Sequence, residues 1–294
     1  MAHAAATSPG AIGFARDIVN LGKPRVTTLV IFTTATGIWL APPNGATWTT
    51  TLSFLFATSL LVASANTLNC WVERNSDGLM HRTMDRPLPA GRLAASVALV
   101  WGAALGMLAL VLLQLTSNTL TAALGAIALL TYVLLYTPLK RVSPAALYVG
   151  AVPGAIPPLM GWTFATGGLS IPGWFLFALL FVWQIPHFIA ISVYLEEDYR
   201  RGGLQVLPVA HGSKAAWRQM IWTSAALLTV SLAPAALGIA GPVYLAVAVL
   251  AGAVFVHGAW KGSKAPTAKA GRKVFAISII YLIAVVTALI LDKI

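Results

Sequence analysis

The 294-residue chain is 58% hydrophobic and only 9% charged, with a net charge of +11 and one cysteine. Soluble domains carry about 25% charged residues, so this composition excludes an ordinary soluble domain. The lone Cys70 excludes an internal disulfide and a metal site built from several cysteines. Positive-inside topology and attraction to anionic membrane lipid explain most of the positive charge, and no nucleic-acid partner is expected.

Nine stretches approach the roughly 20 apolar residues that a helix needs to cross a bilayer. None alternates with the period of two typical of a barrel strand, and backbone in lipid must satisfy its own hydrogen bonds, so each is predicted to be a helix. We expect an all-α integral membrane protein, a bundle of nine transmembrane helices. We expect residues 1–294 to form a single membrane domain, with residues 1–15 as a disordered tail. The stretches are 26–42, 51–72, 93–115, 118–136, 145–164, 172–195, 217–237, 243–260 and 274–291.

Charged and uncharged connectors alternate along the chain, which predicts the topology. The charged connectors and the N-terminal segment hold 18 of the 19 Lys and Arg residues and seven of the eight acidic residues. The positive-inside rule therefore places the N-terminus in the cytoplasm and the C-terminus outside, in the plasma (inner) membrane. Because a structural spanner does not need acid on one face, we expect the chemistry at the cytoplasmic face. The uncharged loops are 43–50, 116–119, 165–171 and 238–242, and the charged ones are 73–92, 140–141, 196–218 and 261–273.

The first candidate site follows the second predicted helix. Asn69, Glu73 and Asp77 are four residues apart, so they stack along one helix face. Two carboxylates one turn apart repel each other, and a divalent cation would relieve that repulsion. Mg²⁺ prefers such oxygen ligands and binds through one or two carboxylates plus substrate phosphates. The alternative is a solvated helix end in which Glu73 pairs with Arg74 or Arg82.

The second candidate site follows the sixth predicted helix, where Glu196, Glu197 and Asp198 are consecutive. These three carboxylates point around a helix, so they cannot all bind one ion. If the helix continues, His187, Tyr194 and Asp198 share roughly one face. His187 lies in an apolar span, where an ionisable residue is a functional candidate by default. A satisfied core histidine is the alternative.

Basic residues lie between these acidic clusters. Arginine binds phosphate oxygens in pairs and lysine acts as a point charge. Acidic and basic groups at the mouth of an apolar bundle suit a prenyl diphosphate whose tail lies in lipid. Loss of diphosphate leaves an allylic cation, which aromatic faces stabilise. The basic residues are Arg74, Arg82, Arg86, Lys140, Arg141, Arg200 and Lys214.

The series Asn69-x₃-Glu73-x₃-Asp77, followed by Arg82-Thr83 and Arg86-Pro87-Leu-Pro89-Ala-Gly91, resembles the first motif of the UbiA-type intramembrane prenyltransferases. Further segments are similar to the haem-farnesylating branch of that family. The segment with His187 is more specific than the acidic motif, because quinone-type relatives carry acidic residues there. The segments are Leu21-Gly-Lys23-Pro24-Arg25, Tyr136-Thr-Pro138-Leu-Lys140-Arg141, Gly154-Ala-Ile-Pro157-Pro158-Leu-Met-Gly161-Trp162, and Trp183-Gln184-Ile-Pro186-His187-Phe188 through Asp198-Tyr199 to Leu207-Pro208-Val209.

The resemblance implies a nine-helix, Mg²⁺-dependent enzyme with acidic motifs on two cytoplasmic loops. For the haem branch it implies transfer of the farnesyl group of farnesyl diphosphate to a vinyl group of haem B. Water then completes the hydroxyethylfarnesyl substituent of haem O. Haem B is a substrate rather than a cofactor, and haem A synthase or a haem–copper oxidase is the implied downstream partner.

The same resemblance assigns roles to individual residues. His187 is expected to ligate the haem iron, orient the haem or accept a proton, and the sequence does not choose among these. Arg74 and Arg86 are candidates for diphosphate or the haem propionates, and Tyr136 and Tyr199 for substrate contact. Mg²⁺ and diphosphate are assigned to Asn69, Glu73, Asp77 and Asp198, and diphosphate oxygens to Arg82, Lys140 and Arg141.

The sequence departs from the family pattern at three positions. Glu73 stands where Asp is usual, and Asn75 stands where the haem branch often has Asp. Tyr194 replaces the first Asp of the second acidic motif, which leaves Asp198 as its main carboxylate.

Two other functions remain open. A prenyltransferase acting on an aromatic acid or a quinone precursor would share the Pro87–Gly91 run, although His187 and Tyr194 argue against it. A transporter for an anionic lipid would also suit broken helices such as those expected at Pro153, Pro157 and Pro186. However, a transporter needs access from both sides, and the non-cytoplasmic half lacks charge.

Overall fold

The computed structural model describes residues 10–42 and 45–294, and every regular element in these ranges is a helix. A π-helical turn, Thr131–Tyr136, joins α5 to α6, so that both belong to one continuous helix, Thr119–Leu139. The helices are α1 (Ala11–Leu21), α2 (Pro24–Leu40), α3 (Trp48–Asp77), α4 (Ala95–Thr116), α5 (Thr119–Leu130), α6 (Thr137–Leu139), α7 (Ala146–Thr166), α8 (Ile171–Tyr194), α9 (Glu196–Arg201), α10 (Leu207–Ser231), α11 (Ala233–Ala236), α12 (Pro242–Lys264) and α13 (Ala268–Leu291).

Seven helices in the described part of the chain are long and apolar enough to cross a membrane. The prediction of an all-helical, multi-span protein is therefore confirmed. The first and fifth predicted spans correspond to α2 and α7, which are not among these seven; α2 is 17 residues long. The seven are Trp48–Asp77, Ala95–Thr116, Thr119–Leu139, Ile171–Tyr194, Leu207–Ala236, Pro242–Lys264 and Ala268–Leu291.

Local sequence signals start and end several of these helices. The Thr47 hydroxyl accepts a hydrogen bond from the N–H of Thr50 and thereby caps α3. Asn118 caps α5 in the same way through the N–H of Thr121. Such caps satisfy N–H groups that have no partner within the helix. The C-terminus of α7 is set by Gly167. Its φ of 74° is disfavoured for residues with a side chain, and the helix ends there.

The N-terminal segment differs from the prediction. Residues 1–9 of the expected tail lie outside the described residues, but its last five residues belong to α1, which begins at Ala11. Only one side of this helix packs against the rest of the described chain: Leu21 is buried, whereas Ile12 is 88% exposed. Asp17 fixes it to the connector after α3, since its carboxylate accepts hydrogen bonds from Nε and Nη2 of Arg92 at 2.9 and 3.2 Å.

The seventh predicted span also differs, because α10 begins at Leu207 rather than at residue 217. Pro208 lies in its first turn, where proline is well tolerated because the first N–H groups of a helix have no partner within it. Gly212 then interrupts the helix with a φ of 81°. The predicted connector 196–218 is thus largely helical and contains α9 as well.

Helices α2, α3, α7, α8 and α13, together with the continuous helix Thr119–Leu139, surround a central cavity. On α2 the cavity wall extends from Lys23 to Thr33, and beyond that point α2 packs against α7. The two backbones touch there: a Cβ on Gly37 would lie 2.0 Å from the carbonyl oxygen of Pro158, and one on Gly161 would lie 2.0 Å from that of Thr34. This contact requires glycine on both helices.

Candidate active site

The central cavity has a volume of about 910 Å³, near the upper end of the range for ligand pockets. Its charged residues come from the start of α2, the end of α3, the connector after α3 and the end of the helix Thr119–Leu139. These lining groups carry three more positive than negative charges, which suits a polyanionic ligand. They are Lys23, Arg25, Glu73, Asp77, Arg82, Arg86 and Lys140.

Asn69, Glu73 and Asp77 all line this cavity, as their spacing along α3 predicts. Each residue is at most 6% exposed. Burial of two carboxylates costs several kcal/mol each unless a cation compensates for it. The arrangement therefore depends on what lies opposite these oxygens.

Two cations compensate for the carboxylates. Nζ of Lys140 lies 2.8 Å from Oε1 of Glu73, and Nη1 of Arg86 lies 2.6 Å from Oδ2 of Asp77. The alternative pairing of Glu73 with Arg74 or Arg82 is wrong, because the end of α3 faces the connector that carries Lys140. Burial alone would lower the pKa of Lys140, but the neighbouring Tyr136 and Glu73 outweigh it and raise the pKa well above its usual value.

One carboxylate oxygen remains uncompensated. Oδ1 of Asp77 is buried and has no hydrogen-bond partner among residues 10–42 and 45–294. Together with the oxygens of Asn69 and Glu73, it forms a donor set that fits Mg²⁺. The described residues contain no group of three or more His, Cys, Asp or Glu that could hold a metal ion. The fit is thus to an ion that takes its remaining ligands from a phosphate substrate.

Lys23 is a site residue that the sequence analysis did not assign. Its Nζ donates a hydrogen bond to Oδ1 of Asn69 at 2.8 Å. Burial lowers the pKa of this ammonium group. Lys23 has a φ of 49° and is the only non-glycine residue with positive φ in the described chain. The signal available in the sequence was a lysine followed directly by Pro24 at the start of an apolar span. The positive φ is visible only in the structure, and such strain concentrates at functional sites.

Asp198 lies elsewhere than predicted. Helix α8 ends at Tyr194 and Leu195 leaves the helical region, so His187, Tyr194 and Asp198 do not share one continuous helix face. Asp198 is not among the residues that line the cavity. Its two oxygens instead accept hydrogen bonds from the backbone N–H groups of His81 and Arg82, both at 3.1 Å. Asp198 therefore holds the connector that brings Arg82 to the cavity.

Two predicted phosphate ligands also lie off the cavity wall. Nη1 of Arg74 donates to the carbonyl oxygen of Trp71 at 2.7 Å. Nη2 of Arg141 donates to the hydroxyl of Ser76 at 3.1 Å. Both guanidinium groups therefore bond to residues of α3, and neither arginine lines the cavity.

The predicted tyrosines do line the cavity. Nζ of Lys140 lies 4.2 Å from the centre of the Tyr136 ring, which is a cation–π distance. Burial raises the pKa of Tyr199, so its phenol stays neutral. Both side chains thus present aromatic surface beside the charged groups.

His187 lies on the wall of the cavity among aromatic rings. Its ring stacks on Trp183 with centroids 4.4 Å apart, and the Phe275 centroid is 4.9 Å away. Nδ1 of His187 lies 2.7 Å from Oγ of Ser278 on α13. The cavity therefore joins a charged end to an apolar wall that carries one imidazole.

The UbiA prenyltransferase family matches residues 30–283 of the chain. The chain belongs to this family. This UbiA-family chain is 48% identical to the "Protoheme IX farnesyltransferase" of Anaeromyxobacter sp. (strain Fw109-5), over 96% of the chain and 95% of that relative. It is 47% identical to the protein of the same name from Myxococcus xanthus (strain DK1622), over 95% of each.

Solved structures agree on the fold. A digeranylgeranylglyceryl phosphate synthase has a TM-score of 0.78 at 20% identity, over 95% of this UbiA-family chain and 98% of that chain. A UbiA homologue from Archaeoglobus fulgidus, solved with DMAPP and Mg²⁺, has a TM-score of 0.74 at 16% identity, over 92% and 99%.

The structure of this UbiA-family chain brings together most of the predicted site residues. Nine line the cavity and three do not, the exceptions being Arg74, Arg141 and Asp198. The nine are Asn69, Glu73, Asp77, Arg82, Arg86, Tyr136, Lys140, His187 and Tyr199.

Proposed function

We propose that the chain transfers the farnesyl group of farnesyl diphosphate to a vinyl group of haem B, giving haem O, in a Mg²⁺-dependent reaction. Relatives named protoheme IX farnesyltransferase support this reaction at identities up to 48%. The observation that carries it is the cavity itself, which joins a polyanion site to an apolar wall bearing His187. Its volume of about 910 Å³ suits two large substrates in contact.

The diphosphate binds at the charged end. Lys23, Arg82, Arg86 and Lys140 approach this end from three separate parts of the chain and supply the phosphate-binding cations. Arg86 and Lys140 pair with carboxylates and Lys23 with Asn69, and these contacts keep the three cations at the cavity before substrate arrives. When Mg²⁺ is bound, it neutralises charge on the diphosphate and on the departing group. Asn69, Glu73 and Asp77 would hold it, and Oδ1 of Asp77, which has no hydrogen-bond partner among the described residues, would be available to it.

The transfer then proceeds by ionisation and addition. The bond between C1 of the farnesyl group and its oxygen breaks, and both electrons leave with the diphosphate. Arg86 and Lys140 stabilise that negative charge. The vinyl π electrons form the new carbon–carbon bond with the allylic cation. Water adds its oxygen to the resulting carbocation and loses a proton, so the products are haem O, diphosphate and one proton.

Aromatic and apolar side chains protect the cation between these steps. Tyr132 and Tyr136 lie on the cavity wall with ring centroids 5.2 Å apart. Their faces stabilise positive charge without reacting with it. The apolar remainder of the wall excludes bulk water, which would otherwise hydrolyse the farnesyl cation before it meets the vinyl group.

We also propose that the bundle has nine spans in one membrane domain, with α2 and α7 added to the seven apolar helices. A 17-residue helix such as α2 is roughly 26 Å long, close to the thickness of the bilayer core. The charge pattern supports a cytoplasmic N-terminus, an external C-terminus and a location in the inner membrane. Haem A synthase or a haem–copper oxidase would receive the product.

A direct assay tests the function. The purified protein is incubated with labelled farnesyl diphosphate, Mg²⁺ and either haem B or 4-hydroxybenzoate. We expect label in a farnesylated haem only. Product from 4-hydroxybenzoate alone would instead assign the chain to prenyltransferases of aromatic acids. Haem extracted from cells with and without this chain provides the second readout, and haem O should appear only with it.

A further inference from the structure

The hydrogen bonds around His187 determine which of its ring nitrogens carries the proton. The hydroxyl of Ser278 contacts two groups: Nδ1 of His187 at 2.7 Å and the carbonyl oxygen of Phe275 at 2.6 Å. A serine hydroxyl has one hydrogen to donate and lone pairs with which to accept. The Ser278 hydroxyl can therefore donate to only one of these two groups. If the other contact is a hydrogen bond, the hydroxyl must be its acceptor.

The proton of Ser278 belongs to the contact with Phe275. A carbonyl oxygen only accepts, so two oxygens 2.6 Å apart with no hydrogen between them would repel each other. The hydroxyl must consequently accept from His187, which requires a hydrogen on Nδ1. In the neutral imidazole, Nε2 then carries a lone pair and no proton.

This Nε2 lone pair has no hydrogen-bond partner in the described part of the chain, and His187 lines the cavity. The imidazole stacks on Trp183 and contacts the tilted ring of Phe275. Trp183 also donates its Nε1–H to the backbone carbonyl of Ser278 at 2.8 Å, so one residue of α13 fixes both stacked rings. The site presents a rigid neutral imidazole with its basic nitrogen unoccupied.

We propose that Nε2 of His187 is an axial ligand to the iron of haem B, and that Ser278 is the positioning residue that holds the ring in the required tautomer. This inference rests on the proposed function and selects among the roles that the sequence leaves open. Neutral imidazole is a common iron ligand, and the hydrogen bond from its other nitrogen sets its tautomer and orientation.

The surroundings favour iron ligation over proton acceptance. A histidine that accepts a proton becomes a cation and needs an anionic neighbour in an apolar site. The neighbours of His187 in the described chain are the rings of Trp183, Phe188 and Phe275 and the hydroxyl of Ser278, none of them anionic. Ligation of iron leaves the imidazole neutral and so requires no counter-ion.

Optical titration of the full-length protein in detergent tests the proposal without farnesyl diphosphate. Haem B and metal-free protoporphyrin IX are titrated separately into the wild type, His187→Ala and Ser278→Ala. We expect His187→Ala to lose the histidine-ligated haem absorption and to bind haem B at least about tenfold more weakly. Free imidazole should restore that absorption. Ser278→Ala should weaken haem B binding by about tenfold, because a partner of a ligating histidine is typically worth that much.

Binding of metal-free protoporphyrin IX should stay within about twofold in both variants, since it contains no iron to ligate. Two control variants separate these effects from general ones. Ser224→Ala removes a buried serine that bonds only within its own helix, to Met220. His257→Ala removes a histidine whose ring contacts Trp260 in a tilted arrangement, outside the cavity. Both controls should retain the wild-type haem spectrum.

The outcomes distinguish this inference from the proposed function. If His187→Ala binds haem B with an unchanged spectrum, the axial ligation is refuted while haem farnesylation stands. Equal weakening of both porphyrins in Ser278→Ala would give Ser278 a purely structural role and refute its positioning role. If the wild type binds neither porphyrin, the haem substrate itself is wrong.

Discussion

Nζ of Lys140 lies 2.8 Å from Oε1 of Glu73, although the two residues are 67 positions apart in the chain. The contact connects the end of α3 to the end of the helix Thr119–Leu139. It also places an acidic candidate metal ligand and a candidate diphosphate ligand in one ion pair. Binding of Mg²⁺ and diphosphate would release Lys140 from the carboxylate and leave it to contact phosphate.

Glu73→Gln should therefore weaken both metal and diphosphate binding. We expect the rate at low Mg²⁺ to fall by roughly 100-fold, with partial recovery when Mg²⁺ is raised, because a neutral amide remains a weak oxygen ligand. Steady-state assays across a Mg²⁺ series measure this. Glu197→Gln, which changes an exposed carboxylate in surface pairs with Arg200 and Arg201, should change the rate little. A Glu73→Gln rate that is indifferent to Mg²⁺ would count against Glu73 as a ligand.

Asp77→Asn should abolish most activity while the protein remains folded and inserted. The change removes the negative charge that pairs with Arg86. It also replaces the carboxylate that carries the unpaired Oδ1 with a neutral amide, which is a weaker metal ligand. Loss of one electrostatic group at a reacting centre typically costs about 100- to 1000-fold in rate. Turnover gives the rate, and gel filtration in detergent checks the fold. Near-normal turnover would contradict the assignment of Asp77 to Mg²⁺.

Asp198→Asn should act through the connector rather than through metal. The carboxylate accepts from two backbone N–H groups, and an amide can replace only part of that interaction. Charge-assisted hydrogen bonds contribute about 1.5–3 kcal/mol each, so we expect the KM for farnesyl diphosphate to rise about tenfold as Arg82 loses its position. Hydrogen exchange at the amides of His81 and Arg82 should accelerate. An unchanged exchange rate combined with lost Mg²⁺ binding would return Asp198 to the metal site.

Most spans of the bundle and the acidic part of the site can be predicted from sequence periodicity. Hydropathy over about 20 residues locates spans, and spacing of four places Asn69, Glu73 and Asp77 on one face, because both properties are local to a single helix. The partners of these residues are not local. Lys23 reaches Asn69 across 46 positions, and such contacts depend on how helices pack.

The position of Asp198 was not predictable for a related reason. The position of Asp198 depends on Leu195, whose φ of −111° and ψ of 24° are not helical. Helix α8 therefore has Tyr194 as its last residue. No proline or glycine marks this break in the sequence. A periodic pattern extended past it assigns Asp198 to the wrong face.

Gly161→Ala should destabilise the bundle. The added Cβ would lie 2.0 Å from the carbonyl oxygen of Thr34, a backbone atom that cannot move without shifting α2. Overpacking of this kind costs about 3 kcal/mol. The midpoint of thermal unfolding in detergent measures it. Gly168→Ala is the matched control, because a Cβ there meets nothing within 4 Å, and it should leave the midpoint unchanged. Equal midpoints for the two variants would show that α2 and α7 are not in direct contact.

The orientation of the cavity-lining residues after the π-helical turn Thr131–Tyr136 depends on how many residues that turn contains, as well as on which residues they are. Its hydrogen bonds span five residues instead of four, so this turn accommodates one more residue than an α-helical turn. Deletion of Leu134, an exposed residue, would convert the turn to regular α-helix and leave the helix after it in nearly the same orientation, because the π-turn holds one residue more than an α-turn. Lys140 would then still face Glu73. Insertion of one residue in this turn would instead rotate the helix after it by about 100° and turn Lys140 away from Glu73, so the insertion should be inactivating.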